Sequence, residues 1–316
     1  MRAVQITRYG PPETLAMADV PPPEPGPRDV LIRVHAAGVN PIDWKIRSGQ
    51  TRFIIPMRLP RTPGFDISGE VVKLGEQAAG FQPGDAVFCF SDHFPGGGYA
   101  EQAVVSASVC AMKPEGLDHT QAAATPLAAL TALQSLRDCG RLQSGQDVLI
   151  NGASGGVGTF GVQIAKAMGA RVTGVCSEQN LDFVRELGAD EVIDYRRDDF
   201  TRMDRRWHVV FDAVANRSFW QCRRVLTERG RYINTLPYPQ HYLAQVLSLA
   251  GRRRAFAMLA KPSGDDLRQV AGWIDAGRLR PMIDEIFPLD AATAAHRKSE
   301  QGRAQGKIVL RVVATS

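Results

Sequence analysis

Eight consecutive residues, Asn151-Gly152-Ala153-Ser154-Gly155-Gly156-Val157-Gly158, have the composition of a backbone cradle rather than of a side-chain catalyst. They follow an apolar strand, Asp147 to Ile150, and open a helix in which Val157, Phe160, Ile164 and Ala167 recur at helical spacing until Gly169 supplies a stop. A second apolar strand, Arg171 to Val175, follows at once, so the unit reads as βαβ. Glycine serves such a turn in three ways: tight chain reversal, close approach of backbone N–H groups to an anion, and close contact of helix and strand. The first helical turn adds unpaired donors and the positive end of a dipole, which together attract a pyrophosphate. Ala153, Gly155 and Gly158 fall on the three fingerprint positions, with alanine in place of the first glycine, and Ser154, Gly156 and Val157 lie between them. This context predicts a dinucleotide site.

The tip of the second strand bears on which dinucleotide. A site selective for NAD usually places Asp or Glu there, about 20 residues past the glycines, to bind the ribose 2′-hydroxyl. Here the tip is Cys176-Ser177. A carboxylate would repel a 2′-phosphate, so its absence favours NADPH by charge. Ser177, Asn180 and, after a third strand at Glu191 to Asp194, Tyr195 with Arg196 and Arg197 are the candidate partners of that phosphate. Glu178, one residue past the tip, is the group that could turn inward and serve NAD instead.

The elements that must hold this site fit two domains within 316 residues. A hydrophobic fraction of 44% and a charged fraction of 22% describe an ordinary globular chain. No apolar run approaches the ~20 residues of a membrane helix, and Met1-Arg2-Ala3-Val4 leads into a strand without a signal peptide, so a cytoplasmic protein is expected. The net charge of +5 raises the question of nucleic acid. However, Arg196-Arg197 and Arg252-Arg253-Arg254 lack interleaved aromatics and read as solvated faces, so no specific nucleic-acid partner is expected. Cys89, Cys110, Cys139, Cys176 and Cys222 are scattered, with no C-x-x-C pair, which fits neither a disulfide framework nor a structural zinc site.

Upstream lies a region of short strands, at Val30 to Ala36, Ile67 to Leu74, Ala86 to Phe90 and Tyr99 to Val105, separated by Pro- and Gly-rich turns. An Ala-rich helical stretch, Gln121 to Leu133, joins it to the βαβ unit. The segments Gly38-Val39-Asn40-Pro41-Ile42-Asp43, Pro63-Gly64-Phe65-Asp66-Ile67-Ser68-Gly69, Pro83-Gly84-Asp85-Ala86-Val87, Gly98-Tyr99-Ala100-Glu101 and Gly306-Lys307-Ile308-Val309-Leu310, with the glycine run, occur in order over nearly the whole chain. Together they resemble the medium-chain dehydrogenase/reductase superfamily, and within it the zinc-independent, ζ-crystallin-like quinone oxidoreductases. The resemblance implies an α/β protein: a GroES-like β-rich catalytic domain over residues 1–120, completed by 261–316, and a Rossmann doubly wound parallel-sheet domain over 121–260 that binds NADPH. It also implies a homodimer, formed through an edge strand at Arg254 to Ala260.

Zinc enzymes of this superfamily bind catalytic metal through a Cys in the first loop, a His in a Gly-His-Glu motif and a later Cys. At the first two positions this chain has Asn40 and Phe65, which cannot supply thiolate and imidazole, and the cysteine-rich lobe for structural zinc is missing. His35, His93 and His119 lack ligand spacing, so no metal site is expected. Without a Lewis acid, an acceptor that takes hydride readily is expected: a quinone or another conjugated carbonyl, lying between the two domains. Asn40 is the candidate for orienting the nicotinamide or the substrate oxygen; holding the turn before Pro41 is its alternative role. Lys45, near where several related reductases carry a Tyr, either polarises a carbonyl or faces solvent, and Trp44 either lines an aromatic pocket or packs in the core.

By residue-to-residue resemblance, Thr131 sits at the nicotinamide end, Ala213 and Leu236 follow the fourth and fifth Rossmann strands, and Lys307 lies near the cofactor. Many relatives have Val-Gly after the Asp that precedes Ala213; here the run is Val214-Ala215-Asn216, so the local shape is expected to differ. Segments 51–61, 91–97 and 237–252 are expected to shape the substrate pocket. Two other functions remain open: an alkenal, enone or enoyl-thioester double-bond reductase, for which Arg47, Arg52, Arg58 and Arg61 could form a basic rim, and a non-catalytic NADPH-binding sensor or RNA-binding protein.

Overall fold

The computed structural model describes residues 1–53, 56–236 and 238–312. Residues 54, 55 and 237, which belong to the expected pocket segments, lie outside the described residues. In chain order the elements are β1 (Arg2–Ile6), β2 (Leu15–Asp19), β3 (Asp29–Val39), α1 (Pro41–Arg47), β4 (Asp66–Leu74), β5 (Ala86–Phe90), β6 (Gln102–Ser106), β7 (Cys110–Met112), α2 (His119–Ala123) and α3 (Pro126–Gln134). They continue as β8 (Asp147–Asn151), α4 (Gly156–Ala167), β9 (Arg171–Cys176), α5 (Leu181–Glu186), β10 (Glu191–Asp194), β11 (Trp207–Asp212), α6 (Phe219–Cys222), β12 (Leu226–Asn234), α7 (Pro239–Ser248), β13 (Arg254–Ala257), α8 (Gly264–Asp275), β14 (Ile283–Pro288), α9 (Ala292–Glu300) and β15 (Lys307–Arg311).

The chain forms two compact units: Met1–Leu127 with Pro262–Ala276 and Pro281–Ser316, and Ala128–Lys261 with Gly277–Arg280. The boundary falls after Leu127 rather than at 121, because α2 packs on β3 and β4. The Ala-rich helical stretch is two helices, since Pro126 lacks an N–H to continue α2 and instead occupies the first position of α3.

In the first unit the sheet order is β14-β15-β3-β4-β5-β7, with β6 pairing β3. Alternating residues Val30, Ile32 and Val34 of β3 pack with Ile67, Val71, Val87 and Cys89 in the core, as the period of a strand requires. The register of β3 against β4 shifts twice, first between Leu31 and Ile32, where Val72 of β4 is left over, and again after Val34. Val34 pairs with Gly69 and Ala36 with Ser68, so His35 is an extra residue at a β-bulge.

In the second unit six parallel strands run in the order β10-β9-β8-β11-β12-β13, the 3-2-1-4-5-6 order of a Rossmann sheet. Strand order reverses between β8 and β11, where such sheets bind ligands beyond the strands' carboxyl ends. Leu149, Val175, Trp207, Val210 and Tyr232 share one core cluster. β13 is the edge strand, but it stops at Ala257, and its edge is not bare. The outward N–H groups of Ala255 and Ala257 donate to Ser248 Oγ and Gln245 Oε1 of α7, each at 2.9 Å. The edge-to-edge pairing implied by resemblance meets donors that are already engaged. No helix among the described residues is long and apolar enough to cross a membrane.

Candidate active site

The glycine turn has the form its residues require. After β8 the chain turns through Gly152, at φ +79°, and the N–H groups of Gly152 and Ala153 donate to Val175 O of β9 at 3.0 and 2.9 Å. Gly155, extended at φ −83° and ψ 173°, caps α4, whose first internal bond runs from Thr159 N to Gly155 O at 2.9 Å. The amides at 156–158 therefore have no intrahelical acceptor and are available to an anion. A Cβ on Gly158 would lie 2.0 Å from Gly152 O, so the third glycine is needed for helix and strand to meet. A Cβ on Gly155 would find only Gly152 O, at 3.5 Å, which leaves its outer face open. Ala153 is fully buried, while Ser154, Gly155, Gly156 and Val157 keep partial exposure. The cradle fits a dinucleotide pyrophosphate.

Beside it, parallel pairing of β9 and β10 brings the next predicted group together. Tyr195 N donates to Cys176 O at 3.1 Å, and Asn180 Nδ2 donates to Ser154 Oγ at 3.0 Å, tying the loop after β9 to the glycine turn. Ser177 is 8% exposed and Tyr195 52% exposed, with the Arg196 guanidinium 6.0 Å from its ring. Glu178, the residue that could serve NAD, is paired with Arg197, which also lies 3.6 Å from Asp194 Oδ2. Its charge is thus directed at an arginine.

At the ends of β11 and β12, Ala213 N donates to Asn151 O at 3.1 Å, and Leu236 N donates to Asn234 Oδ1 at 2.7 Å. Asp212, which the sequence places at the end of the fourth Rossmann strand without assigning it a role, organises this corner. Its carboxylate accepts from Asn151 Nδ2 at 2.7 Å, Ala215 N at 2.8 Å, Arg217 N at 3.0 Å and the Tyr232 hydroxyl at 3.2 Å. Burial nevertheless raises its pKa. Ala215 takes φ +60°, so alanine occupies a left-handed position here. Thr131 lies on α3 and is 6% exposed.

The remaining candidates belong to the first unit. Asn40 caps α1 and shares a capping box with Asp43, whose Oδ2 accepts from Asn40 N at 2.7 Å. The Asn40 side chain is 1% exposed: Nδ2 donates to Asp66 Oδ2 at 2.9 Å, and Oδ1 accepts from Lys307 Nζ. Lys307 also lies 3.1 Å from Asp66 Oδ2, and Asp66 Oδ1 accepts from Leu127 N at 2.7 Å. Asn40 therefore holds the turn before Pro41 and two buried charges as well. Lys45 is half-buried, with Nζ 5.6 Å from the centroid of the Trp44 ring, and burial lowers its pKa.

Sequence reasoning missed a second buried network beside this one. Asp43 is wholly buried, and desolvation raises its pKa from 3.8 to about 7 against the bond from Asn40 N. The Tyr99 hydroxyl donates to Asp43 Oδ2 at 3.4 Å and lies 3.3 Å from His296 Nε2, whose ring burial takes to a pKa of about 3. Asp43 and Tyr99 stand inside the motifs that carried the resemblance, but His296 has no motif around it.

Phe65 is 8% exposed and packs at 5.9 Å, edge to face, on Phe90 and at 6.1 Å on Phe94. Neither it nor Asn40 offers a metal ligand of the expected kind. One expectation needs correction. His35 and His119 lack ligand spacing in the sequence, yet with Glu70 they form a group of three potential metal ligands, the only such group among the described residues. Strand pairing joins what sequence spacing separates.

Comparison with known proteins agrees with this architecture. Residues 26–115 match the alcohol dehydrogenase GroES-like domain family, and residues 187–310 match the zinc-binding dehydrogenase family. The chloroplast envelope quinone oxidoreductase homolog of Arabidopsis thaliana is 34% identical over 98% of this chain and 98% of its own. The quinone oxidoreductase of Coxiella burnetii superposes with a TM-score of 0.90 at 33% identity, covering 99% of each chain. A mycobacterial protein solved in complex with NADPH superposes with a TM-score of 0.85 at 27% identity, covering 99% of this chain and 100% of that one. With its glycine cradle, Rossmann strand order and GroES-like unit, the chain belongs to the quinone oxidoreductase branch of the medium-chain dehydrogenase/reductase superfamily.

Proposed function

We propose that this protein is an NADPH-dependent oxidoreductase that reduces a quinone or a similar conjugated carbonyl without a catalytic metal. Bound NADPH supplies the hydride. The observation that carries the reading is the pair Asn40 and Phe65. An amide already held by Asp66 and Lys307 and a phenyl ring packed on Phe90 stand where zinc enzymes of the superfamily present thiolate and imidazole. Reduction then depends on positioning and on an acceptor whose conjugation spreads the incoming charge.

The amides at 156–158 and the Gly155 surface are assigned to the pyrophosphate, and Ser177, Asn180, Tyr195 and Arg196 to the 2′-phosphate. Pairing of Glu178 with Arg197 supports the preference for NADPH, because the carboxylate that could turn inward to serve NAD is already engaged by an arginine. The NADPH complex of the mycobacterial relative supports it as well. Thr131, Ala213, Leu236 and Lys307 are assigned to the nicotinamide end by resemblance. Lys45, already partly desolvated beside Trp44, is assigned to polarising the acceptor oxygen. We assign the protein to a homodimer whose contact uses the exposed side of α7, where Leu243, Val246 and Leu247 are 59%, 62% and 53% exposed.

The test is oxidation of NADPH and NADH with benzoquinone, phenanthrenequinone and a simple enone, each with and without chelator. Chelator-insensitive turnover of quinones that prefers NADPH is expected. Ser177→Asp should weaken NADPH binding at least tenfold and leave NADH nearly unaffected. Chelator-sensitive turnover would overturn the metal-free reading, and an enone strongly preferred over both quinones would move the assignment to double-bond reduction.

A further inference from the structure

The bulge in β3 gives one side chain a place that strand alternation would not. His35 is the extra residue there, and its ring stacks on His119, the first residue of α2, with centroids 4.3 Å apart and planes 28° apart. Glu70 of β4 completes the group, with Oε1 3.8 Å from His35 Nε2. One ligand atom from each of the three residues lies within 4.8 Å of the other two. All three residues are partly exposed, although the His35 Nε2 atom itself is buried.

One imidazole nitrogen of the group is left without a partner. His35 Nε2 is buried and has no hydrogen-bond partner. Ser68 Oγ donates to Val87 O at 3.0 Å and lies 2.8 Å from His119 Nδ1. The hydroxyl has one proton, and a carbonyl can only accept, so Nδ1 of His119 is the donor in the second contact and Nε2 carries the lone pair. This is how a neighbouring group fixes the tautomer of a metal-binding imidazole. Glu70 gives one oxygen to Arg33 at 2.7 Å and keeps the other toward the histidines. Arg33 and Lys113 are the cations against which an ion must bind, and Lys113 is occupied by the Pro114 and Leu117 carbonyls.

The geometry points to a divalent transition-metal site of two imidazoles and one carboxylate, His35, His119 and Glu70, suited to zinc. Two nitrogens and one oxygen match the ligand preferences of zinc and leave a fourth position for water. Closing 4.8 Å to the ~3.4 Å between ligands of a tetrahedral ion with bonds of about 2.1 Å requires the stacked imidazoles to rotate until their in-plane lone pairs converge. The site is separate from the superfamily's catalytic zinc position: His35 precedes Asn40 by five residues of extended chain, roughly 16 Å. A bound ion would link β3, β4 and α2.

The test uses untagged full-length protein stripped with chelator, titrated with zinc sulfate in a calorimeter and, separately, with cobalt(II). One zinc per chain at micromolar affinity or tighter is expected, with a rise in Tm. Cobalt should give visible d–d absorption without a thiolate charge-transfer band, which excludes the five cysteines as ligands. His119→Asn and Glu70→Gln should each weaken zinc at least tenfold. Ser68→Ala, which leaves every ligand in place, should weaken it less. The metal-free quinone turnover of these variants should match the parent. Binding that survives His119→Asn, a thiolate band, or failure to take up one equivalent of zinc would overturn the site.

Discussion

Asp43 is the residue whose burial has the clearest energetic sign. Its pKa rises from 3.8 to about 7, chiefly through desolvation, so between these values the folded protein holds a proton that the unfolded chain has lost. Stability from this group is complete below about pH 4 and is lost as pH rises through about 7. Asp43→Asn keeps an oxygen for Asn40 N and removes the titration. The stability of the variant relative to the parent should therefore rise across this window by up to roughly 4 kcal/mol. Urea unfolding of both proteins at pH 4 and pH 7.5 checks it, and a difference independent of pH would show that Asp43 is not held neutral. The difference matters because His119 and His296, at about 4 and 3, push the parent's own profile the other way. Lys307 and Asp66 make a second prediction at this scale. Lys307→Met leaves the Asp66 charge buried and should cost about 3–5 kcal/mol, whereas Lys307→Met with Asp66→Asn should recover most of that loss. Denaturant midpoints of the two variants decide it. Neither network is legible in the sequence: Lys307 meets Asn40 across 267 residues and Asp66 across 241. Sequence singled out Asn40 and Lys307 by resemblance, but their mutual bond depends on pairing of β15 with β3.

At the scale of elements, the glycine turn was legible because all of its determinants are local. The β8 strand, the run at 151–158 and the stop at Gly169 lie within 23 residues, and the structure gives Gly169 the left-handed φ of +79° that a helix terminator requires. Gly155 and Gly158 look equivalent in sequence yet differ in space, and this difference is measurable. Gly158→Ala should separate α4 from β8, lowering Tm by several degrees and reducing NADPH affinity more than tenfold, because its Cβ meets backbone at 2.0 Å. Gly155→Ala should leave Tm nearly unchanged while weakening NADPH, since its Cβ occupies open surface where the pyrophosphate is assigned. Thermal unfolding without cofactor, paired with NADPH titration, separates the two effects. Equal loss of Tm in both would remove the distinction. The bulge in β3 was not legible, because a bulge is set by pairing between strands and no residue type announces it. That is why His35 lacks ligand spacing in the sequence.

For the whole molecule, the open question of assembly turns on which surface a second copy could use. The resemblance implied strand pairing at the β13 edge, but α7 already supplies acceptors to Ala255 N and Ala257 N, so such pairing must first displace Gln245 and Ser248. The outer side of α7 carries no such obstacle. Leu243, Val246 and Leu247 recur at helical spacing there, with Leu249 following at 64% exposure, and water is a poor solvent for such a patch. Burying each of these side chains is worth about 1.5–3 kcal/mol, enough together to hold a dimer at micromolar concentration. Light scattering after gel filtration should give twice the 34.5 kDa chain mass. Leu243→Glu with Leu247→Glu should give the single-chain mass, because the change removes two apolar contacts and places four carboxylates in the interface. Both residues lie on the exposed side of the helix, so the substitution leaves the packing of α7 on β13 intact, and NADPH affinity should not change. A dimer that survives it would return the contact to the β13 edge. Gln245→Ala with Ser248→Ala, by freeing the two edge donors, should then strengthen association instead of leaving it unchanged.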